Sequence, residues 1–133
     1  MRLRLTARAE GDVAHILRHT HVTFGPRQVL TYTSLIEKAF SAIAEDPERA
    51  SSRPRQEIAS GIRSFRIGLA GSRPSAASPV VYYVQVAESG RNSEVVILRV
   101  LHERMEPLHR VVATVRRERP AESDSPKEQD PIA

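Results

Sequence analysis

Val95-Val96-Ile97-Leu98-Arg99-Val100-Leu101 is apolar at nearly every position, and Val80-Val81-Tyr82-Tyr83-Val84-Gln85-Val86 shows the same pattern upstream. Short unbroken apolar runs of β-branched and aromatic residues mark strands at the centre of a sheet. Ser89-Gly90-Arg91-Asn92-Ser93 between them has the composition of a hairpin turn. Further upstream Phe65, Ile67 and Leu69 alternate with Ser64, Arg66 and Gly68, the period of a two-faced strand, and the connector Ala70–Pro79 is Gly-, Ser-, Ala- and Pro-rich and long for a hairpin. Arg2-Leu3-Arg4-Leu5-Thr6 alternates again and reads as a half-buried first strand. Between this strand and the later three the period changes to that of a helix. Val13, Ile16 and Leu17 place a helix over about Ala9–Val22, with Glu10 and Asp12 in its first turn, where carboxylates favour the dipole. Phe24-Gly25-Pro26 breaks it. A second helix carries the stripe Val29, Tyr32, Ile36, Ala39, Phe40, Ile43 until Asp46-Pro47 stops it. Helices joined by two or three residues lie antiparallel as a hairpin. Pro47–Ser60 has no periodicity and reads as a loop, and Arg104–Arg117 as a short closing helix. The expected fold is α+β, in the order β-α-α-β-β-β, with the helical hairpin packed on one face of a small, mostly antiparallel sheet.

The 133 residues suffice for one domain, expected over 1–117. Residues 118–133 hold two cations, five carboxylates and three prolines with only Ile132 as a large apolar residue, the composition of a disordered acidic tail. That tail nets −3 within a total of +4, so residues 1–117 net +7. A basic body favours an acidic partner, nucleic acid or acidic protein. Eighteen of the twenty cations are Arg, which suits phosphate or carboxylate, but a GC-rich coding bias is the better explanation. With no Cys there is no disulfide framework, thiolate metal site or cysteine nucleophile. No apolar run reaches the length of a membrane span, and the N-terminus alternates charge where a signal peptide is continuously apolar, so the chain reads as soluble and cytoplasmic.

Ile97-Leu98-Arg99-Val100-Leu101-His102-Glu103-Arg104-Met105-Glu106-Pro107 resembles the closing segment of ParE toxins, a strand ending Arg-Val-Leu-His followed by an Arg-Met-Asp/Glu-Pro turn. Phe24-Gly25-Pro26, Ala44-Glu45-Asp46-Pro47 and Gly61-Ile62-Arg63-Ser64-Phe65-Arg66-Ile67-Gly68 resemble the family at the matching places, so the likeness runs from about Leu3 to Val111. The connector 70–79 and the acidic tail depart from it. The resemblance implies the toxic half of a type II toxin–antitoxin pair of the RelE/ParE superfamily, of the kind associated with plasmid stabilization. It implies inhibition of DNA gyrase without a cofactor, neutralisation by a ParD-like ribbon-helix-helix antitoxin, and contact with promoter DNA only through that antitoxin. The alternative within the superfamily is a RelE-like, metal-independent endoribonuclease that cuts messenger RNA on the ribosome. A repurposed relative that only binds a partner is a third reading.

On the ribonuclease reading Arg63, Arg66, Arg104 and His109 stand where such enzymes place working groups, and they must converge on one phosphate. The lysines several such nucleases carry ahead of the second strand are missing here, which counts against it. On the gyrase reading there is no catalytic residue, and Arg99, His102, Arg104 and Met105 are the target-binding candidates. Val13, Leu17, Tyr32 and Ile36, at the seam of hairpin and sheet, are the antitoxin-binding candidates, for a helix docked in a groove. His15 and His19 stand at i, i+4, a metal-clipping spacing, but no Glu completes the pattern and an exposed polar face is the better reading.

Overall fold

Thr6 sets where the first helix begins. In the computed structural model, which describes residues 2–71, 79–87 and 93–118, its backbone is extended and its hydroxyl accepts the Ala9 amide at 3.0 Å. The same hydroxyl donates to the Leu98 carbonyl at 2.9 Å, so one buried side chain caps a helix and ties it to a strand 92 positions away. Helix α1 therefore spans Ala7–Phe24, starting earlier than the apolar period alone suggests. It ends at Gly25, whose φ of +93° is open to glycine at little cost and whose amide donates to the His21 carbonyl at 2.9 Å. Gly25 is also the residue before α2 (Pro26–Glu45), with Pro26 at the first helical position. The joint is thus a single residue. At the far end of α2 the Arg49 guanidinium donates to the Ala42 carbonyl at 3.0 Å, placing a cation on the last turn.

The sheet has the order β1-β5-β4-β3-β2. Strand β1 (Arg2–Leu5) runs parallel to β5 (Glu94–His102), while β5, β4 (Pro79–Val86), β3 (Arg63–Arg66) and β2 (Arg53–Pro54) are antiparallel neighbours. β4 and β5 are central, as their composition requires. The stretch expected as a loop supplies β2, a two-residue edge strand in which Pro54 is tolerated because the outer side needs no donor.

The strand expected over Phe65–Leu69 is shorter. It stops at Arg66, and Ile67–Ala70 forms a 3₁₀ turn. In that turn i and i+3 eclipse, so Ile67 and Ala70 both reach the hairpin-side core while Leu69 is left 42% exposed.

A register break in β5 shapes both cores. Tyr82 lies opposite Arg99 and Tyr83 opposite Ile97, leaving Leu98 as the extra residue of a bulge. Before it Val95 and Ile97 join the core under the hairpin, with Ile36, Ala39 and Ile43 of α2; after it Val100 does. Val96, Leu98 and Leu101 join a second core on the opposite face, with Val80, Tyr82, Val84, Ile58, Ile62 and Val111. That second face is closed by α3 (Pro107–Glu118), a full helix in place of the short one expected. Coverage on both faces is why β4 and β5 show no polar alternation. The connector and hairpin turn over 72–78 and 88–92 and the tail from 119 onward lie outside the described residues.

Candidate functional site

Arg99, next to the bulge, reaches Asp12 of α1. Its guanidinium donates to both carboxylate oxygens of Asp12, at 2.7 and 2.9 Å, and the Val100 amide donates to Asp12 Oδ2 at 2.9 Å. Both side chains are nearly covered, at 12% and 15% exposure. The bonds from Asp12 raise the Arg99 pKa above its ordinary value, against the lowering effect of burial. Asp12 thus fastens α1 to the end of β5 with a bidentate charged pair.

Beside this clamp the hairpin and the end of β5 diverge and leave a groove of about 530 Å³. Ile16, Thr20, Phe24 and Tyr32 form its hairpin wall, and Val100, Leu101 and Met105 its sheet wall. Phe24 is 67% and Met105 38% exposed, so large apolar surface faces solvent here. Burial of Tyr32 raises its phenol pKa above the ordinary value. His15, His19 and His102 also line the groove, all exposed. Among the described residues no group of three His, Cys, Asp or Glu side chains is arranged to hold a metal.

The loop after β5 is ordered by its own polar groups. The Arg104 amide donates to His102 Nδ1 at 3.1 Å, which defines that nitrogen as the acceptor. Glu106 caps α3: its carboxylate accepts the Leu108 amide and the His109 amide and faces His109 Nδ1 at 3.2 Å. Desolvation pushes the Glu106 pKa up, but the hydrogen bonds from His109 and Leu108 outweigh it and hold the carboxyl below its ordinary value. Arg104 is exposed and its guanidinium has no partner among the described residues.

The candidates named from sequence therefore divide. His102 and Met105 line the groove together with Tyr32, and Arg99 stands at its end, held by Asp12. Val13 and Leu17 are half-buried against the hairpin core, and Ile36 lies within that core at 4% exposure. Arg63 and Arg66, three apart on a four-residue strand, point to opposite faces of the sheet. Arg63 is bound to Ser52 at 2.9 Å and Arg66 to Glu103 at 2.7 Å. His109 sits on α3, paired with Glu106. The four groups of the nuclease reading do not converge. Phe24, Ile16 and Asp12 are groove residues that sequence reasoning placed only as a helix break, a core position and a dipole partner. The signal for Phe24 was its position beside Gly25, where a helix end leaves an aromatic ring nothing to pack on.

A helical hairpin crossing a five-stranded mixed sheet, with an apolar groove between the hairpin and the end of β5, defines a small α+β protein. The family model described as the ParE toxin of type II toxin-antitoxin system, parDE, matches residues 3–107, and the chain belongs to this family. A solved structure described as the chromosomal ParDE TA system from P. aeruginosa has a chain of the same fold. It is 20% identical with a TM-score of 0.58, over 77% of this chain and 95% of that one. No curated protein matches the chain.

Proposed function

We propose that this ParE-family chain is a toxin that inhibits DNA gyrase and is held inactive by a ParD-like antitoxin whose amphipathic segment lies in the groove between α1 and the end of β5. The observation behind this reading is the groove itself: Phe24, Tyr32, Ile16 and Met105 offer the large, rigid or adaptable apolar anchors that dominate protein–protein affinity. The basic body complements an acidic partner and speeds its association. The partner's residues would contact Tyr32 directly, with Val13, Leu17 and Ile36 supporting the wall from behind. Arg104, His102 and Met105 in the closing segment are the proposed target contacts, and Arg99 acts by holding α1 in place. The toxin acts in the cytoplasm as one domain over 1–117; among the described residues no helix is long and apolar enough to cross a membrane.

The separation of Arg63 from Arg66, with each arginine occupied by a protein partner, supports inhibition by binding over messenger-RNA cleavage. Induced expression of the chain alone should arrest growth, and co-expression of the antitoxin encoded beside it should restore growth. Codon-positioned cuts in ribosome-bound message would establish the ribonuclease reading instead, and harmless expression of the lone chain would establish a repurposed binding protein.

A further inference from the structure

Arg4, Arg49, Arg55, Arg63, Arg66 and Arg99 are held by protein groups: Glu94, the Ala42 carbonyl, Glu57, Ser52, Glu103 and Asp12. The guanidiniums of Arg8, Arg18, Arg27 and Arg104 are exposed without a partner among the described residues, but they are scattered over α1, α2 and the loop after β5. On α3 the pattern differs. Val111 and Thr114 are buried and Val112 and Val115 half-buried against the sheet, while His109, Arg110, Ala113, Arg116 and Arg117 are all exposed. At 100° per residue these five occupy one continuous sector of the helix. None of the five is a carboxylate, the capping Glu106 faces only His109 at the sector's N-terminal end, and the one apolar member is Ala113. Arg116 and Arg117 have no partner among the described residues, and Arg110 spends one N–H on the Glu106 carbonyl at 2.9 Å, leaving the rest of its fork free.

Interfaces with other proteins have an apolar or aromatic centre from which charge is depleted, and this sector has none. Interfaces with nucleic acid are polar and strongly positive. From Arg110 to Arg117 the stripe is about 10 Å long, and a duplex presents a phosphate charge about every 1.7 Å of its axis, so the three guanidiniums each meet a phosphate. The apolar groove is built on α1 and α2, on the face of the sheet opposite the one that α3 covers. We propose that the outer face of α3 is a sequence-independent contact for the nucleic-acid backbone, formed by Arg110, Arg116 and Arg117. This surface is independent of the antitoxin groove and of whether gyrase is the target.

The test is fluorescence anisotropy with a labelled 20-base-pair duplex of arbitrary sequence, titrated with the full chain at several salt concentrations. Binding should fall in the range of about 1–100 µM near physiological salt, with log K against log salt sloping at about −2.7 for three phosphates. Arg110→Gln/Arg116→Gln/Arg117→Gln should weaken binding at least about tenfold and flatten the slope. The lysine triple at the same positions should keep the slope, since a point charge still releases the counterion. Arg8→Gln/Arg18→Gln/Arg27→Gln, which removes the same charge from the exposed hairpin, should leave both unchanged. Hydrogen exchange on the unmutated chain gives a reading independent of any variant: added duplex should slow exchange across α3. The proposal fails if no duplex binding is seen, if the hairpin triple loses as much as the α3 triple, or if protection appears on α1. Equal, α3-dependent binding of poly-glutamate would overturn it in favour of an acidic protein partner.

Discussion

Asp12 is the residue on which the geometry of the groove most depends. It neutralises Arg99 and takes the Val100 amide, so Asp12→Ala orphans a half-buried guanidinium and a backbone donor together. Removing one partner of such a pair costs about 3 kcal/mol, more than deletion of an exposed ion pair. Urea denaturation should show that loss, with Asp12→Ala/Arg99→Met recovering part of it; equal stability of Asp12→Ala and the parent would mean that the clamp is idle. Glu106 gives a pH-dependent signature. Its folded pKa is depressed, so its contribution is complete above the unfolded carboxylate value of about 4.3 and fades as pH falls through the lower folded value. Melting curves of Glu106→Gln and of the parent should therefore differ at neutral pH and converge in acid. Neither role is visible in the sequence alone: Asp12 reads there as one of two first-turn acids, and no spacing distinguishes it from Glu10 as the partner of Arg99.

At the scale of elements, local chemistry was the better guide wherever a backbone constraint was involved. Gly25-Pro26 announces the end of one helix and the start of the next, and the structure places both events there, joined by a single residue at positive φ. No atom lies within 4 Å of a Cβ built on Gly25, so Gly25→Ala pays only for the left-handed backbone, about 1–2 kcal/mol. A thermal melt checks this, and an unchanged melting temperature would mean the joint relaxes. Periodicity was less reliable where one pattern suits two structures. Phe65, Ile67 and Leu69 alternate as a strand would, yet β4 begins at Pro79 and its pairing with β3 ends at Val80 opposite Arg66. The next register partner, for Ile67, would be Pro79, which has no N–H to give the ladder, and the chain instead coils and packs Ile67 into the core with α2. The second face of the sheet was legible in the unbroken apolar runs of β4 and β5, whereas the extent of α3 was not, because its exposed sector and its buried one are interleaved among arginines and valines.

For the molecule as a whole, the order of elements and the identity of the family could be read from the chain, while the groove was legible only as a seam of hairpin and sheet that includes Tyr32. It requires Phe24, Tyr32 and Met105, from two helices and a loop, to meet at one end of the sheet, and no sequence spacing encodes that meeting. Met105 is 38% exposed, so Met105→Asp should leave folding stability within about 0.5 kcal/mol. The same substitution puts a charge against an apolar partner surface and should weaken antitoxin binding by about 100-fold in a calorimetric titration; undiminished affinity would move the antitoxin to another face. The reading that joins these parts is inhibition of gyrase by a protein that binds and does not cleave. Its most direct test is a supercoiling assay in which purified chain is titrated into gyrase and relaxed plasmid, without ribosomes or message. The account predicts loss of supercoiling with rising toxin and recovery when the antitoxin is added. Full supercoiling at every toxin concentration, from chain that arrests growth in cells, would contradict it.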